Sequence, residues 1–392
     1  MERHALLLAG GGARAAYQVG CLRYIARALP DYRPDILTGV SAGAINAVHL
    51  ASHRGTFEAA IERLRELWLR LDTERVYHTE LRYLLGHILG AALPLFSGGR
   101  LGGTQLRGMV STEPLQEFLR SHLDLEGDRI RGIRENLNDG LLTALAIITT
   151  NYDSGRSTAW VESDSDDLWQ RGQLQAAFVD MTLQHVLASS ALPLFFPAVE
   201  LDNCWHGDGG VRLTAPLSPA LHLDATRILA VSPIARPMAG KASAAEPIVT
   251  GQMTNGDAYP SPAQVAGVML NAVFLDMLDY DALQMSRINR LLHNLPEEAR
   301  TGMRPVEVLV LRPSRDIGRL AADNEFRLPR AFRFFERGMS GGQARKADAL
   351  SMVNFEPEYL ALLMELGEED AARRCEEIEA FLRGGACSVP VW

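Results

Sequence analysis

The chain has 392 residues, 47% hydrophobic and 22% charged, enough to bury a large core without disulfide or metal staples. A net charge of −9 argues against nucleic acid as a main partner, because a phosphate-binding surface needs an excess of Lys and Arg. The four cysteines, Cys21, Cys204, Cys375 and Cys387, are widely separated without metal-ligand spacing and read as free thiols, and no metal or cofactor is expected.

In chain order, the first apolar run, Ala5 to Ala9, is a strand. It is too short for the core of a secretory signal, and Arg14 interrupts the region where cleavage would fall. The expected location is therefore the cytoplasm, with contact at most to the inner face of a membrane. Gly10, Gly11 and Gly12 follow, and then a helix start. Unshielded backbone N–H groups in a glycine turn at a helix N-terminus form an anion site, suited to an oxyanion. The same glycines approximate a dinucleotide fingerprint. Against that reading, Ala15 occupies the third glycine position, and Asp31 and Asp35, the acids at ribose-binding distance, close no clear second strand.

Next comes Gly39-Val40-Ser41-Ala42-Gly43, between the apolar pair Ile36 and Leu37 and an alanine-rich helical stretch, Ala44 to Ala51. A G-x-S-x-G pattern between strand and helix is a nucleophile elbow: small neighbours permit a sharp bend that exposes Oγ. Ser41 is the candidate nucleophile. Only one strand and one helix precede it, too few for an α/β-hydrolase, where several strands come before the elbow.

Residues 83 to 96 are apolar over fourteen positions, too short to span a bilayer and suited either to a lid or acyl-chain wall or to core packing. Leu141 to Thr149 reads as a strand that turns at Asn151 to Gly155 and returns through Ser157 to Val161. Further strands are expected near Ala198 to Leu201, over Arg227 to Val231 and over Val306 to Leu311. Residues 233 to 262, rich in Pro, Ala, Gly and Ser, form a surface excursion. Between Phe326 and Met339, arginines alternate with phenylalanines, a pattern that fits an anionic lipid surface or ordinary core packing. Ala344 to Met352, Glu358 to Leu366 and Asp370 to Leu382 read as helices. His185, His206, His222 and His293 all follow the elbow, but no spacing singles one out as a catalytic base.

Three pieces together, Gly-Gly-Gly-Ala-Arg at 10 to 14, Gly-Val-Ser-Ala-Gly at 39 to 43, and Ala-Ser-Ser-Ala-Leu-Pro at 188 to 193 ahead of Asp208-Gly209-Gly210, resemble the patatin-like phospholipase family over roughly residues 5 to 235. The resemblance implies a Ser-Asp dyad, with Ser41 as nucleophile, Asp208 as base and no catalytic histidine. It also implies an oxyanion site built by Gly10, Gly11, Gly12 and Ala13 with Arg14 beside them, and motif glycines at Gly39, Gly43, Gly209 and Gly210. Ala15 departs from the family pattern, which has glycine after the arginine; Ala favours a helix over Gly by about 1 kcal/mol, so a helical turn tolerates it.

The expected architecture is α/β, a layered sheet with helices on both faces and a C-terminal helical appendage. Residues 5–235 would form the catalytic domain and 236–392 an extension that could continue the same core. The expected function is lipid acyl hydrolysis, of the phospholipase A, lysophospholipase or carboxylesterase type, through an acyl-enzyme on a lipid or ester substrate. The alternatives are a thioesterase or acyltransferase on the same dyad, and a silent lipid-binding protein; the intact serine, glycine turn and aspartate argue against the last.

Overall fold

The computed structural model describes residues 2–77, 110–164, 170–171, 174–193, 195–235, 277–322 and 351–384. Ten strands form one sheet: β1 (His4–Leu8), β2 (Ile36–Val40), β3 (Ala144–Asn151), β4 (Ser157–Ser163), β5 (Gln170–Arg171), β6 (Leu174–Phe178), β7 (Val199–Leu201), β8 (Cys204–Asp208), β9 (Arg227–Val231) and β10 (Glu307–Leu311). The order is β10-β9-β1-β2-β3-β4-β6-β5, with β8 pairing to β3 and β7 to β8 off that path. From β10 to β3 every pairing is parallel; β4 returns antiparallel to β3 through the expected turn.

The parallel strands β1, β2 and β9 read as short apolar runs because a strand covered on both faces has no polar side to show. In β1 the side chains alternate between two cores: Leu6 and Leu8 join one, Ala5 and Leu7 the other. The first core lies under α1 (Ala16–Ala28), α2 (Ala42–Ser52), α3 (Phe57–Arg70), α4 (Glu113–His122), α5 (Arg131–Asn138), α6 (Leu183–Ser189) and α8 (Pro357–Arg373). The second is closed by α7 (Leu278–His293) and the short helix Ser218–His222. Helices thus cover both faces, as the alternation of strand and helix signals implies.

Among the strands that the sequence reading misses, two matter for the sheet around the site. Leu174–Phe178 is Leu-Gln-Ala-Ala-Phe, poor in β-branched residues, so its propensity is weak. Cys204–Asp208 ends in Gly207 and Asp208, which look like a loop until a partner strand is in place. The C-terminal helices also divide differently. The expected gap between Leu366 and Asp370 is absent, and one helix runs to Arg373 before α9 (Cys375–Leu382). Gly367 is not a stop signal but a contact point: a Cβ there would lie 2.2 Å from the carbonyl oxygen of Tyr17, and one on Gly20 would lie 1.9 Å from that of Met364. The two glycines let α8 cross α1 with their backbones touching. Strand β10 and helix α8 thereby pack on β9 and α1, so chain beyond residue 236 contributes to both sheet and core.

Candidate active site

Ser41 sits between β2 and α2 with φ 57° and ψ −132°, a strained conformation for a residue with a side chain. Its flanking glycines are required by close approach. A Cβ on Gly39 would lie 2.6 Å from the Gly43 carbonyl oxygen, and one on Gly43 would lie 2.2 Å from that of Leu8. Without side chains at either place, α2 starts hard against the ends of β1 and β2. Ser41 then stands at the helix N-terminus, where the dipole favours negative charge.

Asp208 reaches the same point from the other strand direction. β2 pairs with β3 up to Val40 opposite Ile148, and β8 takes over the same edge of β3 with Asp208 opposite Thr149. The two side chains are neighbours because their strands abut on consecutive residues of β3. Gly209 allows the join, since a Cβ there would lie 2.2 Å from the Ile148 carbonyl oxygen. Asp208 is wholly buried; its N–H donates to the Ala191 carbonyl at 2.9 Å and its carbonyl accepts the Thr150 hydroxyl at 2.8 Å. Oδ1 accepts the Gly210 N–H at 2.8 Å, while Oδ2 has no hydrogen-bond partner among the described residues. The Ser41 hydroxyl is close enough to favour the carboxylate form of Asp208. Burial dominates, and pushes the Asp208 carboxyl up to about 6.

The glycine turn lies beside the elbow: a Cβ on Gly10 would meet the Ser41 Cβ at 3.0 Å. The N–H groups of Gly10 and Gly11 find no acceptor among the described residues. Gly12 has φ +57°, a conformation glycine tolerates, and opens a short 3₁₀ turn through Ala15 that precedes α1. Ala13 and Ala15 are fully buried in that turn, so Ala15 serves as packing. Arg14 Nε donates to the Ser351 hydroxyl at 2.6 Å, and the residue also lines the cavity that Asp208 borders. That contact ties the turn to residues 351–355, and the Met352 carbonyl oxygen lies so close to Gly12 that a Cβ there would be 2.1 Å from it.

Three further polar residues hold this frame. Ser189, at the end of α6, accepts the Ser41 N–H. Gln18 donates to the carbonyls of Ala9 at 2.7 Å and Val231 at 3.1 Å, fixing the chain just before the glycines. Asn46 donates to Gln18 and accepts the indole N–H of Trp68. The family-like string at 188 to 193 contains Ser189; Gln18 and Asn46 have no local signal beyond being polar on otherwise apolar helix faces.

Two cavities flank the pair, one bordered by Ser41 and the other by Asp208, on opposite faces of the sheet. The narrower, about 70 Å³, starts at Ser41 and Gly12 and runs between α2, α3 and α4, with walls from Ile45, Val48, Leu64, Trp68, Leu115 and Leu119. The larger, about 310 Å³, lies against Gly10, Gly11, Thr38, Asp208, Leu213 and Met277. Met352 borders both.

The histidines are engaged elsewhere. His206 Nδ1 lies 2.9 Å from the Thr149 hydroxyl, and its ring packs on Trp160. His185 bonds Thr182 at the start of α6, and His293 bonds the Asn289 carbonyl. Burial lowers His206 and pushes His185 down to about 4. His222 closes the short helix on the opposite face. Cys21, Cys204 and Cys375 are free thiols. Cys387, the apolar stretch 83 to 96 and the arginine-phenylalanine stretch 326 to 339 lie outside the described residues. No described helix is long and apolar enough to cross a membrane.

The patatin-like phospholipase family model matches residues 6–221. Similar solved structures include VipD from Legionella pneumophila, at 11% identity over 96% of this chain and 67% of that one, with a TM-score of 0.35. Human GIVD cytosolic phospholipase A2 in complex with methyl gamma-linolenyl fluorophosphonate is 12% identical over 98% of this chain, with a TM-score of 0.44. This chain spans 58% of that protein's length. No curated protein matches the chain.

Proposed function

Since the chain belongs to the patatin-like phospholipase family, we propose that it is a lipid acyl hydrolase that works through a Ser41-Asp208 dyad and an acyl-enzyme. The observation that carries this reading is the abutment of β2 and β8 on Ile148 and Thr149. It sets a strained serine beside a buried carboxylate with an open oxygen, at the mouth of an apolar cavity.

In this reading Asp208 accepts the Ser41 proton as Oγ attacks the ester carbonyl, and the N–H groups of the glycine turn, Gly10 to Ala13, hold the oxyanion. The proton then passes from Asp208 to the leaving alkoxide. In the second half Asp208 draws a proton from water, which attacks the acyl-Ser41 ester and frees the acid. The narrow cavity receives the acyl chain, whose burial is worth about 0.8 kcal/mol per CH₂. Arg14 acts on the oxyanion site through the segment it anchors, residues 351–355, and we propose that the chain beyond 236 is a working part of the site rather than a separate module.

An alkyl fluorophosphonate tests the assignment. It should add one phosphonyl group per chain, on the peptide carrying Ser41, and none to Ser41→Ala; labelling of any other serine, or none in the folded wild type, would overturn it.

A further inference from the structure

Besides Ser41, few polar side chains line the narrow cavity. The Ser190 hydroxyl donates to the Val186 carbonyl and the Trp68 indole N–H to Asn46, so both are satisfied within the protein. The others are two histidines, His49 and His122, which the chemistry above does not use. His49 lies eight residues along α2 from Ser41, about 12 Å at 1.5 Å per residue. Ile45 and Val48 line the cavity between them. His122 ends α4, close enough for its charge to bear on His49. The two imidazoles therefore stand together at the end of the cavity away from the nucleophile.

Each ring is held through one nitrogen. His49 Nε2 lies 3.1 Å from the Ala60 carbonyl oxygen, and His122 Nδ1 lies 2.7 Å from that of Phe118. A carbonyl only accepts, so each of these nitrogens carries the ring hydrogen. The Ser121 hydroxyl gives its own hydrogen to the Phe118 carbonyl, and so receives rather than donates in its contact with His122 Nδ1. The remaining nitrogens, His49 Nδ1 and His122 Nε2, are lone-pair acceptors. Neither has a hydrogen-bond partner among the described residues, and neither is among the polar atoms closed off from any probe. His49 is 6% exposed, and burial pushes it down to about 4, so its ring is neutral and Nδ1 keeps its lone pair at neutral pH.

A hydrocarbon chain filling the cavity would leave both acceptors without partners in a dry site, a loss that an O–H on the chain removes. We propose that His49 and His122 recognise a hydroxyl group on the acyl chain, so that the preferred acyl groups are hydroxylated about ten carbons from the ester carbonyl. This rests on the acyl-hydrolase reading. The position follows from length: three bonds of extended chain cover about 3.3–3.6 Å, so the roughly 12 Å from Ser41 to His49 holds about ten. A hydroxyl placed nearer the middle would meet only the apolar side chains of Ile45, Val48, Leu64, Leu115 and Leu119.

The test compares p-nitrophenyl esters of decanoate, 10-hydroxydecanoate and 6-hydroxydecanoate. In an apolar cavity with no acceptor, either hydroxyl should lower kcat/KM by roughly tenfold or more, because it loses its water without a replacement. The wild type should instead turn over the 10-hydroxy ester at least as well as decanoate and disfavour the 6-hydroxy ester by roughly tenfold. His49→Leu should bring the 10-hydroxy ester down to the level of the 6-hydroxy one, and His122→Leu should move it in the same direction. A merely structural histidine would lower Tm and leave the ratio of the three esters alone. Equal discrimination against both hydroxy esters in the wild type, or a ratio unchanged in both variants, overturns the proposal while leaving the hydrolase reading intact. If His49→Leu does not fold, the wild-type series and His122→Leu decide. A wild type that neither turns over decanoate nor takes the fluorophosphonate defeats the hydrolase reading, and this inference with it.

Discussion

Ser189 holds the nucleophile's own backbone: its hydroxyl accepts the Ser41 N–H at 3.0 Å and donates to the Ile148 carbonyl at 2.7 Å. One side chain thereby ties the strained elbow to β3, the strand that also carries Asp208.

Ser189→Ala leaves both the Ser41 N–H and the Ile148 carbonyl without this partner in a dry interior. The expected loss is about 1–3 kcal/mol of stability, with kcat reduced by at least tenfold because φ 57° at Ser41 is no longer held. Chemical denaturation and initial-rate kinetics on a short ester check both; wild-type kcat with reduced stability would restrict Ser189 to a structural role.

Arg14 ties the C-terminal segment to the glycine turn through Ser351, beside the close approach of Met352 to Gly12. Arg14→Met should cost about 1–3 kcal/mol through the broken charge-assisted bond to Ser351. Hydrogen exchange should rise first in residues 351–356 and in Gly10 to Ala15. Exchange that rises uniformly over the chain would mean that the contact is no local latch.

Much of this was legible beforehand, and for physical reasons. Buried parallel strands write themselves as apolar runs, so Arg227–Val231 is identical in sequence reading and structure. Glycines forced by backbone contact, Gly39 and Gly43, mark the elbow for the same reason. What stayed hidden depends on partners distant in the chain. Asp208 finds its place only through pairing with Thr149, and Gly367 resembles a helix stop until α1 lies against it. Met352 is an ordinary methionine until residues 351–355 return to Gly12. His49 and His122 look like ordinary helix histidines until α2 and α4 bring them to one end of the same cavity.

The apolar cavity should set chain length. Leu64, 1% exposed, lines it from α3. Leu64→Trp should exclude the far methylenes of long acyl chains, each worth about 0.8 kcal/mol or roughly fourfold in kcat/KM. Rates on a p-nitrophenyl ester series from butyrate to palmitate should therefore fall most at the long end. Overpacking adds a general cost of about 1–3 kcal/mol in stability, so the informative quantity is the slope against chain length; an unchanged slope places the acyl chain elsewhere.

Burial of Asp208 gives a stability test with a definite sign. Its folded pKa, about 6, exceeds the ordinary aspartate value of 3.8, so between roughly pH 4 and 6 the folded state holds a proton that the unfolded chain releases. Stability is lost as pH rises through that window, and above it the buried charge costs on the order of 3 kcal/mol. Asp208→Asn carries no charge and should be more stable than wild type at pH 7–8 by about that amount, with the gain shrinking to nothing below pH 4. Urea unfolding at pH 4 and pH 8 separates this from a pH-independent effect of the amide.

Activity should follow the same group with opposite preference, because the base acts only when ionised. The acid limb of kcat/KM reports the free enzyme's essential base, so it should have its midpoint near pH 6, well above that of an ordinary aspartate. An imidazole could mimic that value; burial takes His185 down to about 4 and also lowers His206, whose ring is held against Thr149 and Trp160. His206→Gln and His185→Gln should therefore keep the limb in place, whereas Asp208→Asn should remove activity at every pH. Circular dichroism across the range must show a folded protein for the limb to count. A limb that moves or vanishes in either histidine variant, with the fold intact, would replace the dyad with a base from the Trp160 side of the sheet.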